Sequence, residues 1–221
     1  LVADGALGSR GALLLEDYSD EPTNHGLVVT PADVIQRTAV RALQTGFQLN
    51  VHAIGDGANR ATLDAFEAAL RQVPVADHRF RVEHAQIIHR QDIPRFAQLG
   101  VIPSMQGSHQ SSDAPMAMNR IGWTRAQGAY PWRSLLSTGV VIPNGTDFPV
   151  EAVNPFIGFH ALVSRQDASN WPAGGWFPDE RMTRDEALLS MTMWPAYASF
   201  TEGVQGSLTP GKYADFVVLS Q

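Results

Sequence analysis

The sequence predicts an α/β fold built on a parallel sheet, and three observations lead there. Short apolar runs alternate with longer amphipathic stretches, the pattern of repeated strand–helix units. The amphipathic stretches begin and end on residues that start and stop helices. Two of the apolar runs carry His52 and His84 at matching places, separated by roughly 30 residues, the length of one βαβ unit.

The elements follow in order. Thr30 as N-cap, Pro31 at the first helical position and Asp33 in the first turn open a helix. It continues through Val34, Ile35, Val40 and Leu43 to a stop at Gly46. Residues 47–54 (FQLNVHAI) read as a strand. Residues 58–73 read as a helix with Leu63, Phe66 and Leu70 on one face. Residues 79–87 (RFRVEHAQI) form the next strand, and 91–99 a short helix ending at Gly100. Residues 101–106 (VIPSMQ) form a strand kept short or irregular by Pro103.

Residues 107–130, rich in Ser, Gly, Asp and Met, read as a long loop suited to a lid. A short helix over 132–138 precedes a strand that starts at 140–143 and runs into Asn144, Gly145, Thr146 and Asp147. A helix over 155–164 is followed by a second long loop, 166–182, carrying Trp171, Pro172 and Trp176. Thr183, with Glu186 three residues on, forms a capping box for a further helix that Pro195 kinks or ends. From Gly206 the tail reads as a turn and then a strand (ADFVVLS).

Composition narrows the function. The chain has 221 residues, of which 44% are hydrophobic, so it can bury a core without disulfides or a structural metal. A metal site would therefore point to chemistry first. Net charge is −6 with no Lys/Arg cluster, which argues against nucleic acid. Absence of cysteine excludes disulfides, thiolate ligands and cysteine nucleophiles. No apolar run reaches the roughly 18 residues of a membrane span. The expected partner is a small-molecule substrate, and a homo-oligomer is compatible with the sequence. The start, Leu1-Val2-Ala3-Asp4, lacks a basic leader and reads like the middle of a strand. The chain is thus expected to be cut from a longer protein at both ends, with the cytoplasm as default location.

Three expected strands end in metal-ligand types: His52 in NVHAIGD, His84 in VEHAQ and Asp147 in GTDFP. A (β/α)8 barrel gathers its functional groups at the C-terminal ends of its strands. Imidazole and carboxylate are the donors that a hydrolytic zinc site uses. Such an ion activates water and polarises a carbonyl, and a carboxylate beside it can carry the proton. Asp147 suits that second role. Taken singly, each histidine also reads as a buried, hydrogen-bonded residue and Asp147 as a turn residue. The set is more specific than its parts. Glu83 next to His84 should point to the opposite strand face, which disfavours a glycosidase-type pair of Glu83 and Asp147. Gly5 and Gly8 lack the Gly-Lys-Ser/Thr ending of a phosphate loop.

DGALGSRGA (4–12), NVHAIGDGAN (50–59), RVEHAQ (81–86), GTDFPV (145–150) and GSLTPGKYADFVVL (206–219) occur in this order. Together they resemble the amidohydrolase superfamily, in the family-3 branch of YtcJ-like proteins and N-substituted formamide deformylases. The resemblance runs nearly end to end. It implies the C-terminal part of a distorted TIM (β/α)8 barrel over residues 1–205, followed over 206–221 by a strand of a small flanking β-sandwich domain. It also implies that His52 and His84 are metal ligands from strands 5 and 6, and that Asp147 is a metal ligand and catalytic base from strand 8. One or two divalent ions, zinc foremost, would be the cofactor. The superfamily's His-x-His pair and its carboxylated strand-4 lysine are not among residues 1–221; the lysine would stand just before Leu1.

Arg10, Gln106 and His109 are the candidate substrate-binding residues. Arg10 offers a guanidinium for a planar oxyanion. Asp56 is expected to cap a helix, His25, His78 and His89 to be solvated, and His160 to pack or face solvent. Tryptophan and methionine residues around 105–132 and 171–194 could line an apolar pocket, although core packing is their commoner role. The expected reaction is metal-dependent hydrolysis of a C–N bond in an amide, formamide or N-acyl substrate. A deaminase of the same superfamily, a non-catalytic ligand-binding barrel, and a metal-free lyase or glycosidase are the alternatives.

Overall fold

The computed structural model describes residues 1–219. The expected alternation of helix and strand is present. Helix α1 (Ala32–Thr45) buries Ile35, Ala39, Ala42 and Leu43 along one stripe. It ends where Gly46 takes a left-handed φ of 74°. Its N-cap is Pro31 with no side-chain cap, one residue later than Thr30, whose hydroxyl instead donates to the carbonyl of Val2 at 2.6 Å. Strand β1 (Asn50–Ala53) leads into α2 (Asp56–Gln72), which packs against α1. Strand β2 (Arg81–His84), α3 (Ile93–Leu99) and β3 (Ile102–Ser104) repeat the unit.

The three strands form a parallel sheet in the order β1-β2-β3. A single parallel bridge extends each edge: Val2 pairs with His52, and Asn144 with Met105. Segments 1–3 and 143–145 therefore flank β1 and β3. The strand expected to start at 140 is realised only as that bridge. On one face of the sheet Val51, Ala53 and Val82 are buried in the hydrophobic core. On the other, Asn50, His52, Arg81, Glu83 and Ser104 stay half-buried. Arg81 donates to Glu83 on that face at 2.7 Å.

The expected loop over 107–130 is mostly helix. α4 (Gly107–Ala126) breaks its helical geometry only at Gly122, φ 70°. Pro115 and the Ser/Gly-rich composition argue locally against a helix. Tertiary packing overrides them: Ala114, Ala117 and Ile121 are buried, and α4 packs along α6 (Pro155–Ser164), which follows the short α5 (Trp132–Leu136). A Cβ at Gly107 would lie 2.6 Å from the Gly158 carbonyl oxygen, so the two helices touch through bare backbone there.

Loop 166–182 is irregular apart from a 3-10 turn at Pro178–Glu180. It is pinned by the buried Arg165, which donates to the carbonyls of Trp176 and Tyr130, both at 2.8 Å. Helix α7 (Arg184–Met191) carries the expected capping box of Thr183 and Glu186. It ends at Thr192, and Pro195 lies in the first turn of a new helix, α8 (Met193–Ala198). Residues 214–219 are exposed and have no ladder among the described residues, so the expected terminal strand is not formed there. Its last residue, Ser220, and Gln221 lie outside the described residues. His78 is buried rather than solvated, its ring held between the amide of Phe80 and the carbonyl of Leu99. No helix among the described residues is long and apolar enough to cross a membrane.

Candidate metal centre

Three histidines and an aspartate meet at the C-terminal ends of the strands. His52 lies near the end of β1, His84 ends β2, His109 sits in the first turn of α4, and Asp147 follows the bridge at Asn144. The rings of His52 and His84 are 4.5 Å apart, and those of His84 and His109 are 5.6 Å apart. One coordinating atom from each of His84, His109 and Asp147 lies within 4.8 Å of the others.

Each side chain is placed by local structure. Asp4 is fully buried, and its two carboxylate oxygens accept the amides of Leu13, Ile54 and Gly55 at 2.8, 3.0 and 2.8 Å. It thereby ties segment 1–15 to the end of β1. Burial pushes its carboxyl up to about 6 against the pull of those three bonds. Its Oδ1 stands 3.7 Å from Nε2 of His52. Asp56, expected as a cap, is instead the first residue of α2 and accepts the amide of Leu15 at 2.9 Å.

His52 Nε2 is buried and has no hydrogen-bond partner among the described residues. Burial, reinforced by the His84 ring, pushes this imidazole down to about 4, so it is neutral at neutral pH with a lone pair to offer. An orphaned buried nitrogen costs about 1–3 kcal/mol, which coordination would recover. His84 Nδ1 lies 2.7 Å from Oε1 of Gln106. That oxygen only accepts, so Nδ1–H donates and Nε2 is left free. Burial also lowers the pKa of His84. Nitrogen and carboxylate donors of this kind suit zinc.

Asp147 takes a left-handed φ of 57° and is exposed. Its Oδ2 meets Nε2 of His109 at 3.2 Å, while Nδ1 of His109 meets Oε1 of Glu151 at 3.1 Å. Asn144 Oδ1 accepts the amide of Gly107 at 2.7 Å, which fixes the start of α4 against the segment carrying Asp147.

The structure thus gathers His52, His84, Gln106, His109 and Asp147 from the sequence-derived candidates. It does not bring Arg10 to them. The Arg10 guanidinium pairs with Asp20 at 3.0 Å and Glu21 at 3.1 Å. Glu151 and the structural role of Asp4 escaped the sequence reading. Glu151 follows Asp147 by four residues across a turn, and that spacing was the available signal.

A model described as the amidohydrolase family matches residues 1–221. The chain is 38% identical over 218 residues to Protein LONG AFTER FAR-RED 3 of Arabidopsis thaliana, covering 98% of the chain and 37% of that protein. It is 33% identical over 220 residues to the putative amidohydrolase YtcJ of Bacillus subtilis, covering 100% of the chain and 41% of the relative. Over 184 residues it is 34% identical to an N-substituted formamide deformylase of Arthrobacter pascens, covering 83% of the chain and 33% of the relative. The crystal structure of a metal-dependent hydrolase from Pyrococcus furiosus superposes with a TM-score of 0.83 at 34% identity, covering 96% of this chain and 42% of that one. The chain spans 33–41% of the length of these three curated relatives.

Proposed function

This chain belongs to the amidohydrolase family, in the branch of the YtcJ-like proteins and formamide deformylases, and on that premise we propose that it hydrolyses a C–N bond in an amide, formamide or N-acyl substrate. The observation that carries the reading is the unpartnered Nε2 of His52 beside a His84 whose Nε2 is freed by Gln106. A neutral nitrogen buried without a partner, beside a second ring whose Nε2 is free and with a carboxylate nearby, has no structural reason to stay unpaired. His52, His84 and Asp147 are the proposed metal ligands from this chain. A divalent ion held there, zinc in the first instance, would lower the pKa of a bound water to about 7 and polarise the scissile carbonyl.

The chain's own residues then have separate tasks. His52 and His84 hold their ligand nitrogens neutral through burial. Gln106 fixes the orientation of the His84 ring. Asp147, the most exposed of the group, takes the proton from the attacking water and returns it to the leaving amine. Segments 1–3 and 143–145 with the three strands between them are one arc of a distorted TIM barrel in this reading, and 206–221 leads into the flanking β-sandwich. The activity is proposed for the whole protein, since the chain spans 33–41% of the length of the curated relatives it matches.

The test is zinc stoichiometry by native mass spectrometry before and after chelation, paired with product analysis on a panel of N-formyl and N-acyl amines. The reading expects one or two chelatable ions, an acid and an amine as products, and loss of turnover on chelation. Release of free ammonia instead would identify a deaminase. Protein that takes up no zinc on reconstitution would overturn the metal-hydrolase reading.

A further inference from the structure

Asp147 has one side-chain partner among the described residues, His109. It stands at a positive φ, with its side chain 37% exposed, after a single β-bridge rather than a ladder. His109, by contrast, is buried on the first turn of a long helix and held at both nitrogens. A carboxylate oxygen only accepts, so a hydrogen bond at either nitrogen is donated by the ring N–H. On the far side Glu151 is steadied in turn by the hydroxyl of Ser112, which donates to the same Oε1 at 2.6 Å. The chain of contacts runs Ser112, Glu151, His109, Asp147, and the His109 ring itself lies 5.6 Å from that of His84.

We propose that Glu151 and His109 are positioning residues: Glu151 anchors the His109 ring, and His109 holds Oδ2 of Asp147 so that Oδ1 is presented to the metal. This rests on the reading of Asp147 as a ligand. It moves His109 from the substrate-binding set to the support of a ligand, and it gives Glu151 a role that no sequence motif assigned. Charged groups behind a ligating carboxylate set its rotamer and basicity, and losing them costs roughly 10–100-fold in metal affinity.

The experiment is zinc affinity by chelator competition on the whole protein, for wild type, Glu151→Ala, His109→Ala and the double variant, with thermal unfolding to show that each is folded. Each single variant is expected to bind zinc roughly tenfold more weakly or worse. The double variant should be no weaker than His109→Ala alone, because Glu151 acts only through that ring. Glu151→Gln, which keeps an acceptor for Nδ1–H, should recover most of the affinity. Unchanged affinity in Glu151→Ala, or losses that add in the double variant, would overturn the inference while leaving the metal site intact. Wild-type protein that binds no zinc would sink this inference and the functional reading together. Should His109→Ala fail to fold, His109→Gln serves in the same cycle.

Discussion

His84 stands opposite Ala53 in the β1–β2 register, yet its ring meets that of His52. Regular alternation would put Glu83, the register partner of His52, on the His52 face and His84 on the other. The backbone resolves this by leaving strand geometry: φ is 75° at His84 and 46° at Ala85. The left-handed turn swings the imidazole over the strand end. Such a conformation costs an L-residue about 1–2 kcal/mol and is tolerated where the surrounding structure enforces it.

That strain gives the first prediction. His84→Gly and His84→Ala both remove the imidazole, but only glycine is at ease at this φ. The glycine variant should be more stable than the alanine variant by about 1 kcal/mol in urea denaturation. Alanine equal to or better than glycine would mean that the backbone is not strained there.

Asp4 gives the second. Both its oxygens are used by backbone amides, and the group is fully buried. Asp4→Asn keeps the shape but turns one acceptor into a donor facing an N–H. We expect a loss of about 1–3 kcal/mol, the cost of leaving a buried amide unsatisfied. Chemical denaturation reads it directly, and a neutral result would show that the three bonds contribute nothing net.

His78 couples stability to pH. Its Nδ1 accepts the amide of Phe80, a bond that protonation of that nitrogen would break, and burial lowers its pKa below the ordinary histidine value. A depressed folded pKa means that the unfolded chain takes up the proton first as pH falls. The stability from His78 is present above about 6.5 and is lost as pH drops through the folded value. Wild type should therefore lose more stability between pH 7.5 and 5.5 than His78→Asn. Parallel losses in the two proteins would assign the pH dependence elsewhere.

Much of this was legible in the sequence because it rests on short-range signals. Gly46 and Gly100 stop helices as left-handed caps, and Thr183 with Glu186 forms the capping box that the spacing announced. His52 and His84 were found because strand ends recur one βαβ unit apart. What was missed depends on distant contacts. α4 looks like a loop until Gly107 is seen against Gly158, since close helix approach rewards the small residues that weaken a helix in isolation. Arg10 looks like a free guanidinium until Asp20 and Glu21 turn back on it. His78 looks solvated because its acceptor and donor partners are backbone groups, which carry no sequence signal.

The α4–α6 contact makes the last prediction, and it joins packing to the site. At Gly107 an added methyl would meet the Gly158 carbonyl oxygen at 2.6 Å and Cγ of Leu162 at 2.9 Å. Backbone cannot yield as a flexible side chain can, so Gly107→Ala must push the two helices apart. Overpacking of this kind costs about 1–3 kcal/mol. The displacement also bears on the bond from the Gly107 amide to Asn144, and through it on the distance between His109 and Asp147. Gly145→Ala is the control: it lies beside Asn144, yet its Cβ would meet nothing within 4 Å. We expect Gly107→Ala to lower both the unfolding midpoint and the zinc affinity, and Gly145→Ala to change stability by less than about 0.5 kcal/mol. A Gly107→Ala protein that loses stability but binds zinc normally would show that the site tolerates movement of α4, and that His109 and Asp147 hold each other without help from the helix contact.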